Sequence, residues 1–383
     1  GGSAVLQTML AMGIGSSIAA CGSSSAAPGS PPAPPTPPPG SLPSPRPGDW
    51  PGNVGAGTSV VILGGGIAGM TAALEMTRLG YSCTILEATS MAGGRNKTIR
   101  GGDVVTETGS SQTCTFDADD DLYFNAGPAR IPHHHEFLLG YCREFGVSLE
   151  TFVNENRAGL LHSTGSMGGQ PVIARRVQAD TRGHIARLLA TAINQGALDQ
   201  ELTAADRANV LTMLRSFGDL DGSFNYTGTS RAGFPAQENT GSRQRGQIVT
   251  PLQLQDLVSE TFWQNRQGFT EGLNQQATML QPVGGMDRIA RAFEQRVAND
   301  LITDAQVTEI RKTAGGVSIG YSRLGSPTQI EADYCICTIP APVLRNIPND
   351  FSASHQVEIA NFQYASAGKI AFQARRFWEQ DHN

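Results

Sequence analysis

The feature that most constrains this chain is a strand, a glycine-rich turn, a helix and a second strand that follow one another near its start. Ser59 to Leu63 is a short apolar run with β-branched residues, typical of a strand buried on both faces of a parallel sheet. Ala68 to Leu79 has helical periodicity without proline, and Gly80 is suited to end that helix. Ser82 to Leu86 is the second apolar run. This order predicts two parallel strands with a helix packed across them, the beginning of an α/β fold.

Three glycines in the first turn have the spacing of a dinucleotide-binding loop. Gly64 permits the tight turn, Gly66 lets the backbone approach a pyrophosphate, and Gly69 lets helix and strand pack closely. The helix N-terminus presents N–H groups and the positive end of its dipole to the phosphates. Glu87, after the second strand, is placed to bind ribose hydroxyls, with a surface carboxylate as the alternative. The arrangement predicts a dinucleotide site without choosing between FAD and a nicotinamide dinucleotide.

The size and charge of the chain narrow the choice of partner. Its 383 residues are enough for more than one compact unit, and its formal net charge is −6. A protein that binds nucleic acid needs a basic surface for the phosphate backbone. Small molecules are therefore the expected partners.

The N-terminal residues are predicted to be an export segment followed by a spacer. Residues 1–27 contain an apolar stretch of signal-peptide length, and its end at Cys21 resembles the lipobox of bacterial lipoproteins. Cys21 is thus a candidate lipid anchor, and a secretory cleavage site with small residues is the alternative. Residues 28–57 form a proline-rich linker, expected to be stiff and extended. We expect an exported bacterial protein that is periplasmic, membrane-anchored or secreted.

Secondary-structure signals extend over the rest of the chain. Helical periodicity is found in four segments: Phe137 to Phe145, Arg182 to Gly196, Thr203 to Phe217 and Thr250 to Gln264. Gly146 is expected to end the first of these helices and Thr203 to cap the third. Residues 313–316 carry a hairpin signal between two strands. The following run, QIEADYCICTIP, is apolar enough to be one central strand ended by Pro340.

A second loop with two glycines and an arginine, Gly93 to Arg95, follows Glu87. It suits a pyrophosphate that continues past the helix, and a simple Gly-Gly turn is the alternative. With this loop, the nucleotide segment resembles the flavin amine oxidase superfamily. FNAGPARIP, residues 124–132, is similar to a segment of the L-amino-acid oxidases in that superfamily. The chain thus resembles a bacterial L-amino-acid oxidase. Further similar segments follow in family order: QPVGGMDRI at 281–289, AQVTEI at 305–310, ADYCICTIP at 332–340 and KIAFQARRFWEQ at 369–380.

The resemblance implies an α/β fold with a discontinuous Rossmann-type FAD-binding domain, a substrate-binding domain and a mostly helical insertion. The boundaries that follow are 58–123 for the first part of the FAD domain, 124–151 for a substrate-site segment, 152–281 for the helical insertion, 282–345 for the second part of the FAD domain and 346–383 for the start of the substrate-binding domain. A Gly-Glu segment that closes over the flavin in such proteins is not found here, so a chain truncated near its C-terminus is expected. A homodimer is the expected oligomeric form.

The resemblance also assigns site residues. Arg130 is expected to bind a substrate carboxylate through two parallel N–H groups, with a structural salt bridge as the alternative. Lys369 lies in an apolar run that is expected to be a strand, Lys369 to Phe372. It matches the lysine that holds a water beside the flavin, and a lysine at the edge of a strand is the alternative. The expected cofactor contacts are Gly64, Gly66, Ile67, Ala68, Gly69, Glu87, Ala88, Gly93, Gly94, Arg95, Gly127, Pro128, Ala129, Arg130 and Val307. Some relatives carry an arginine where this chain has Ala365, so side-chain specificity does not transfer.

The histidine run His133 to His135 offers a competing metal site, but consecutive residues point in different directions and Glu136 alone adds little. We expect these histidines to start the helix after Pro132, and we expect no metal.

The function implied is FAD-dependent oxidation of L-amino acids by dioxygen to 2-oxo acids, ammonia and hydrogen peroxide. Three alternatives remain open: an amine or polyamine oxidase, an amino-acid monooxygenase, and a flavin-binding surface protein without catalysis.

Overall fold

The computed structural model describes residues 53–107, 109–234, 246–259, 262, 268–365 and 367–377. The export segment, Cys21 and most of the proline-rich linker lie outside the described residues, so export, lipidation and localisation stay predictions. Among the described helices, none combines the length and the apolar character needed to cross a bilayer.

The described residues form two compact units. The sheet unit comprises those of Pro28–Phe152 and Thr278–Gln373, and the helical unit comprises those of Val153–Ala277 together with 374–377. The finer domain boundaries inferred from the sequence stay predictions.

The elements are numbered along the described chain. The strands are β1 (Ser59–Leu63), β2 (Ser82–Leu86), β3 (Thr98–Arg100), β4 (Val104–Glu107), β5 (Ser110–Thr113), β6 (Tyr123–Asn125), β7 (Ile131–Pro132), β8 (Leu149–Thr151), β9 (Leu160–Leu161), β10 (Val172–Ile173), β11 (Met279–Pro282), β12 (Leu301–Ile302), β13 (Ala305–Lys312), β14 (Val317–Arg323), β15 (Ser326–Ala332) and β16 (Tyr334–Cys337). The α-helices are α1 (Ile67–Arg78), α2 (Glu136–Phe145), α3 (Ala174–Asn194), α4 (Ala204–Gly218), α5 (Leu254–Ser259), α6 (Asp287–Val297), α7 (Ala341–Leu344) and α8 (Ala353–Asn361).

A parallel sheet with the strand order β12-β2-β1-β16 is the centre of the sheet unit. Side chains alternate along β1, so Val60 and Ile62 pack on one face with residues of α1, α2 and α6. Val61 and Leu63 pack on the other face with residues of β13, β14 and α7. All four side chains are almost fully buried. The strand is therefore apolar from Val60 to Leu63, on both of its faces. The predicted mixed α/β class with a parallel sheet is confirmed.

Two predicted elements are confirmed: the helix of Phe137 to Phe145, which is α2, and the hairpin at residues 313–316, which joins β13 and β14. Helix α2 ends at Gly146, whose φ of 69° lies in the left-handed region that glycine adopts without strain. Strands β13 and β14 are antiparallel neighbours, and the Thr313 N–H donates to the Gly316 carbonyl at 2.9 Å. In the helical unit, the expected cap of α4 is present, because Thr203 and Asp206 exchange side-chain and backbone hydrogen bonds.

The starts of two helices predicted from the sequence are wrong. Helix α3 begins at Ala174 instead of Arg182, and its N-cap, Ile173, has no side-chain cap to mark the start. Helix α5 begins at Leu254 instead of Thr250 and is described to Ser259, while part of the predicted helix, 260–261 and 263–264, lies outside the described residues.

The run QIEADYCICTIP is two strands instead of one. The Asp333 carboxylate accepts bonds from the Ser59 N–H and hydroxyl, both at 2.7 Å, and so separates antiparallel β15 from parallel β16. Strand β16 lies at one end of the described sheet order and is not central.

Candidate functional site

A cavity of about 1090 Å³ opens at the carboxyl ends of the parallel strands β1, β2 and β16. Its walls include Gly64 after β1, Glu87 after β2 and Thr338 after β16. Ligands of open α/β sheets bind outside the carboxyl ends of the strands, so this is the position expected for a dinucleotide.

The glycine loop after β1 has the geometry that its spacing predicts. Gly64 has a φ of 104°, which side-chain-bearing residues rarely adopt. A Cβ built at Gly69 would lie 1.9 Å from the Gly64 carbonyl oxygen, so only glycine permits this approach of α1 to the loop. A Cβ at Gly66 would have its nearest neighbour, Gly94 Cα, at 4.0 Å. Gly66 therefore exposes backbone towards the cavity, and α1 begins immediately after it.

Glu87 is only 8% exposed, which excludes the surface carboxylate considered as its alternative. One carboxylate oxygen accepts from the Gly65 N–H at 2.8 Å, and the other accepts from the Thr89 N–H and hydroxyl at 2.9 and 2.8 Å. These bonds fix the side chain at the cavity wall while each carboxylate oxygen retains capacity for a further donor, such as a ribose hydroxyl.

The second glycine loop lies against the first. The Gly93 N–H donates to the Gly65 carbonyl at 2.8 Å, and Gly66 and Gly93 form a β-bridge. Gly93 and Gly94 have φ values of 115° and 56°. Gly93 and Gly94 are thus held against the nucleotide loop by backbone hydrogen bonds. A simple Gly-Gly turn, the alternative considered for them, would not need these bonds.

The structure brings most of the expected cofactor contacts to one cavity. The lining includes Gly64, Gly66, Ile67, Ala68, Glu87, Ala88, Gly93, Gly94, Arg95, Pro128 and Val307. Within the part of the chain that the structure describes, the lining does not include Gly69, Gly127, Ala129 or Arg130. Gly69 and Gly127 instead permit close packing, since a Cβ at Gly127 would lie 1.8 Å from the Arg95 carbonyl oxygen. The roles of all these residues towards a cofactor stay predictions.

Polar residues that the sequence analysis did not single out also line the cavity, among them Asn96, Gln306, Thr308, Thr338 and Asn346. Thr338 directly follows a parallel strand, and this position was a signal that could have identified it. Its hydroxyl donates to the Leu63 carbonyl at 2.9 Å, so it also ties β16 to β1.

The segment that carries Arg130 runs from the end of β6 to β7. The Lys369 ammonium reaches this segment, donating to the Asn125 carbonyl at 3.0 Å and to the Gly127 carbonyl. Desolvation of the amine, followed by the positive charge of Arg130, lowers the pKa of Lys369. The two predicted catalytic side chains therefore belong to the same electrostatic neighbourhood.

The strand expected around Lys369 is wrong. Residues 369–372 have no assigned strand, and Ile370 and Phe372 are exposed. The lysine is held through its terminal amine, by two backbone carbonyls, and not by a strand ladder.

The three histidines precede α2 and do not start it, because the helix begins at Glu136 with His135 as its N-cap. Their rings contact one another edge to face, with centroids 5.3 and 4.8 Å apart. Among the described residues, no group of three or more His, Cys, Asp or Glu is arranged to hold a metal ion.

Arg100 and Asp287 form a largely buried ion pair. Arg100, on β3, donates to both carboxylate oxygens of Asp287 at 3.0 Å, and Arg291 donates to Asp287 at 3.0 Å as well. Burial alone would raise the pKa of Asp287, but the hydrogen bonds and charge of Arg100, with the charge of Arg291, hold it below its ordinary value. Asp287 is therefore a carboxylate at neutral pH and joins β3 to the start of α6.

We expect Asp287→Asn to lower the free energy of unfolding by about 3 kcal/mol at neutral pH, because Arg100 loses its bidentate partner. The folded pKa of Asp287 lies below its unfolded value, so its contribution is complete above the unfolded pKa and is lost as the pH falls through the folded pKa. Denaturant titrations should therefore show a smaller difference from the parent protein near pH 3 than at about pH 7. Asp121→Asn, at an exposed position, is the control. Equal loss in both variants would contradict the assignment.

The glycine loops, the buried acid and the position of the cavity together define a dinucleotide-binding protein of the α/β class. The chain belongs to the family of flavin-containing amine oxidoreductases, whose family model matches residues 67–383. Membership confirms the resemblance inferred from the sequence, and it implies FAD as the cofactor, as predicted.

Individual relatives are distant but extend along most of the chain. The L-amino-acid oxidase of Echis ocellatus is 25% identical over 333 residues, which cover 84% of this chain and 60% of the relative. The flavin-dependent L-tryptophan oxidase RebO of Lentzea aerocolonigenes is 25% identical over 352 residues, with 84% and 67% covered. The L-amino-acid oxidase of Siganus canaliculatus is 24% identical over 343 residues, with 86% and 59% covered. The chain thus spans about 60% of the length of the first curated relatives it matches.

Proposed function

We propose that this protein oxidises L-amino acids, using FAD as the cofactor and dioxygen as the final oxidant. The amino acid loses two electrons and two protons to become an imino acid, which water hydrolyses to a 2-oxo acid and ammonia. Dioxygen takes up the two electrons and two protons as hydrogen peroxide. The observation that carries the proposal is the bonding of the Lys369 ammonium to the Asn125 and Gly127 carbonyls, in the segment that leads to Arg130, in a chain whose relatives are named L-amino-acid oxidases.

The residues around the cavity fit a flavin dinucleotide. Gly66 presents open backbone at the start of α1, where N–H groups of the first helical turn have no carbonyl partner within the helix. Glu87 has acceptor capacity for the ribose hydroxyls, and Val307 supplies an apolar wall. When bound, FAD supplies the acceptor for the hydride that leaves the substrate Cα.

Arg130 would bind and orient the substrate through its carboxylate. A guanidinium presents two parallel N–H groups that match the two carboxylate oxygens. Pro128 and Pro132 flank the turn and restrict its backbone, and Ile131 beside the arginine is fully buried. A rigid support of this kind keeps the Cα–H in a reactive orientation, which is a large part of the rate of such reactions.

Lys369 would hold a water molecule and exchange protons with it. Its ammonium has two of its three donors directed at the Asn125 and Gly127 carbonyls, which leaves one for water. The nearby charge of Arg130 makes loss of a proton easier than for a solvated lysine.

The complete gene product, purified with FAD, tests this function. We expect a flavin absorbance spectrum that bleaches with L-amino acids in the absence of oxygen and returns in air. Peroxide, ammonia and 2-oxo acid should then form in equal amounts. D-Amino acids and simple amines serve as controls.

Each rival function predicts a different outcome. An amide with carbon dioxide would indicate a monooxygenase, and amines oxidised as well as amino acids would indicate an amine oxidase. Flavin that is bound but not reduced by any of these compounds would indicate a protein without this catalysis. Dimerisation stays a prediction that the same preparation can test by its mass in solution.

A further inference from the structure

Asn125, the last residue of β6, is bonded on two sides. Its side-chain oxygen accepts from the Thr98 hydroxyl at 2.8 Å and from the Met286 N–H at 2.9 Å. Its backbone carbonyl accepts from the Lys369 ammonium at 3.0 Å. One residue therefore connects the predicted catalytic lysine to the loop that precedes α6.

The direction of these bonds is determined by their partners. The Met286 N–H can only donate, so the Asn125 side chain must present its oxygen and not its nitrogen. The Thr98 hydroxyl has one proton, which it gives to Asn125, and it accepts from the Asp287 N–H at 3.0 Å. The result is a short chain of hydrogen bonds from Asp287 through Thr98 to Asn125.

Two side chains of strand β3 hold Asp287, at one end of this hydrogen-bonded chain. Thr98 and Arg100 are two residues apart, so their side chains point to the same side of the strand. Thr98 contacts the backbone of Asp287, and Arg100 binds its carboxylate. Thr98 is 6% exposed, and a Cβ at Gly285 would lie 2.7 Å from its methyl carbon, so the contact is close on all sides.

We propose that Asn125 is a positioning residue that holds the Lys369 ammonium in place through its own backbone carbonyl, with its side chain fixed by Thr98 and Met286. The inference rests on the proposed function, because it assigns Lys369 a place beside the reacting atoms. Asn125 acts through Lys369, and the proposal does not require it to contact substrate or cofactor.

The arrangement also explains how two cations are kept at a defined separation. Asn125 and Gly127 supply the carbonyls that hold the ammonium, and the same segment continues to Arg130. Backbone carbonyls carry partial negative charge, which offsets the repulsion between the lysine and the arginine. A displacement of Asn125 would release the lysine towards solvent and away from Arg130, so the pKa of Lys369 would rise towards its ordinary value.

Labelling of lysine amines tests the proposal directly. The chain has three lysines, Lys97, Lys312 and Lys369, which separate into different proteolytic peptides. Protein as purified is pulsed with acetic anhydride across a range of pH, and the label on each peptide is measured by mass spectrometry. In the parent protein we expect the labelling midpoint of Lys369 to lie below the ordinary value for a lysine, because its amine is desolvated and is repelled by the charge of Arg130.

The informative variants are Thr98→Val, which removes the hydroxyl at nearly constant volume, and Thr98→Ser, which retains it. Thr98→Val should move the Lys369 labelling midpoint up towards the ordinary value for a lysine, and Thr98→Ser should leave it near the parent value. Asn125→Ala and Asn125→Asp form a second pair, in which only the aspartate keeps the acceptor oxygen. The thermal midpoint of each variant is measured in the same buffers.

A Lys369 midpoint at the ordinary value for a lysine in the parent protein would overturn the proposal. Equal Lys369 midpoints in Thr98→Val and Thr98→Ser variants that remain folded would also overturn it. If Thr98→Val does not fold, the Asn125 pair decides by the same comparison. The labelling reports on Lys369 whether or not amino acids are oxidised. A negative oxidase assay with the expected labelling would therefore reject the proposed function alone.

Discussion

Arg130→Ala should lower kcat/KM for L-amino acids by about 10³-fold, equivalent to about 4 kcal/mol of transition-state stabilisation. The expected loss is large because the substrate carboxylate would remain desolvated without its bidentate partner. Arg130→Lys keeps the charge but not the paired N–H geometry, so an intermediate loss is expected. Steady-state kinetics of peroxide release, with flavin reduction measured separately, check both values.

Two controls make this result specific. A primary amine without a carboxylate should react as slowly with the Arg130→Ala variant as with the parent protein, because it has nothing for Arg130 to bind. Arg323→Ala, at an exposed position at the end of β14, should leave the kinetics unchanged. If Arg130→Ala retains its activity on L-amino acids while binding FAD normally, the assignment of the carboxylate site is wrong.

The part of the fold predicted best from the sequence is the part that local chemistry determines. Strand β1, helix α1 and strand β2 form where the apolar runs and the glycine triad predict them. A strand buried on both faces must be apolar, and a helix packed closely on it needs glycine, so few other sequences fit this arrangement. The end of α2 at Gly146 has the same character, since a left-handed residue is needed there.

The errors arose where a distant residue decides the structure. Asp333 separates β15 from β16 by bonding to Ser59, a partner 274 positions away that no local pattern reveals. The apolar run around Lys369 resembles a strand, but it forms none, and the Lys369 amine bonds to carbonyls 242 and 244 positions earlier.

The candidate site divides in the same way. Glycines and acids with a known spacing, such as Gly64 and Glu87, could be identified from sequence because their order along one strand–helix–strand unit reflects their geometry. Thr338 and Asn346 line the same cavity but come from a much later part of the sequence, and no spacing rule links them to the glycine loop. Asn125 belongs to the segment FNAGPARIP, but that segment does not show its side-chain partners. Its bonds to Thr98 and Met286 depend on the pairing of β3 with β6.

Gly69→Ala should reduce both the stability of the sheet unit and the affinity for FAD. Glycine to alanine inside a helix usually stabilises by about 1 kcal/mol. Here the new Cβ would lie 1.9 Å from the Gly64 carbonyl oxygen, which is far too short for two atoms that are not bonded. Helix α1 or the loop must therefore move. We expect a net loss of about 2 kcal/mol in unfolding free energy. The displaced loop should bind FAD at least about 100-fold more weakly, as judged by flavin titration of the FAD-free protein.

Gly66→Ala is the matched comparison, because it adds the same methyl group three residues earlier. Its Cβ would meet nothing nearer than 4.0 Å, and the φ of −72° suits alanine, so the FAD-free protein should unfold at the parent temperature. The methyl group would nevertheless stand between the loop backbone and the pyrophosphate, and FAD affinity should fall by at least about 10-fold. The pair thus separates a glycine needed for packing from one needed for cofactor approach. Parent-like stability in Gly69→Ala, or parent-like FAD affinity in Gly66→Ala, would contradict the respective role.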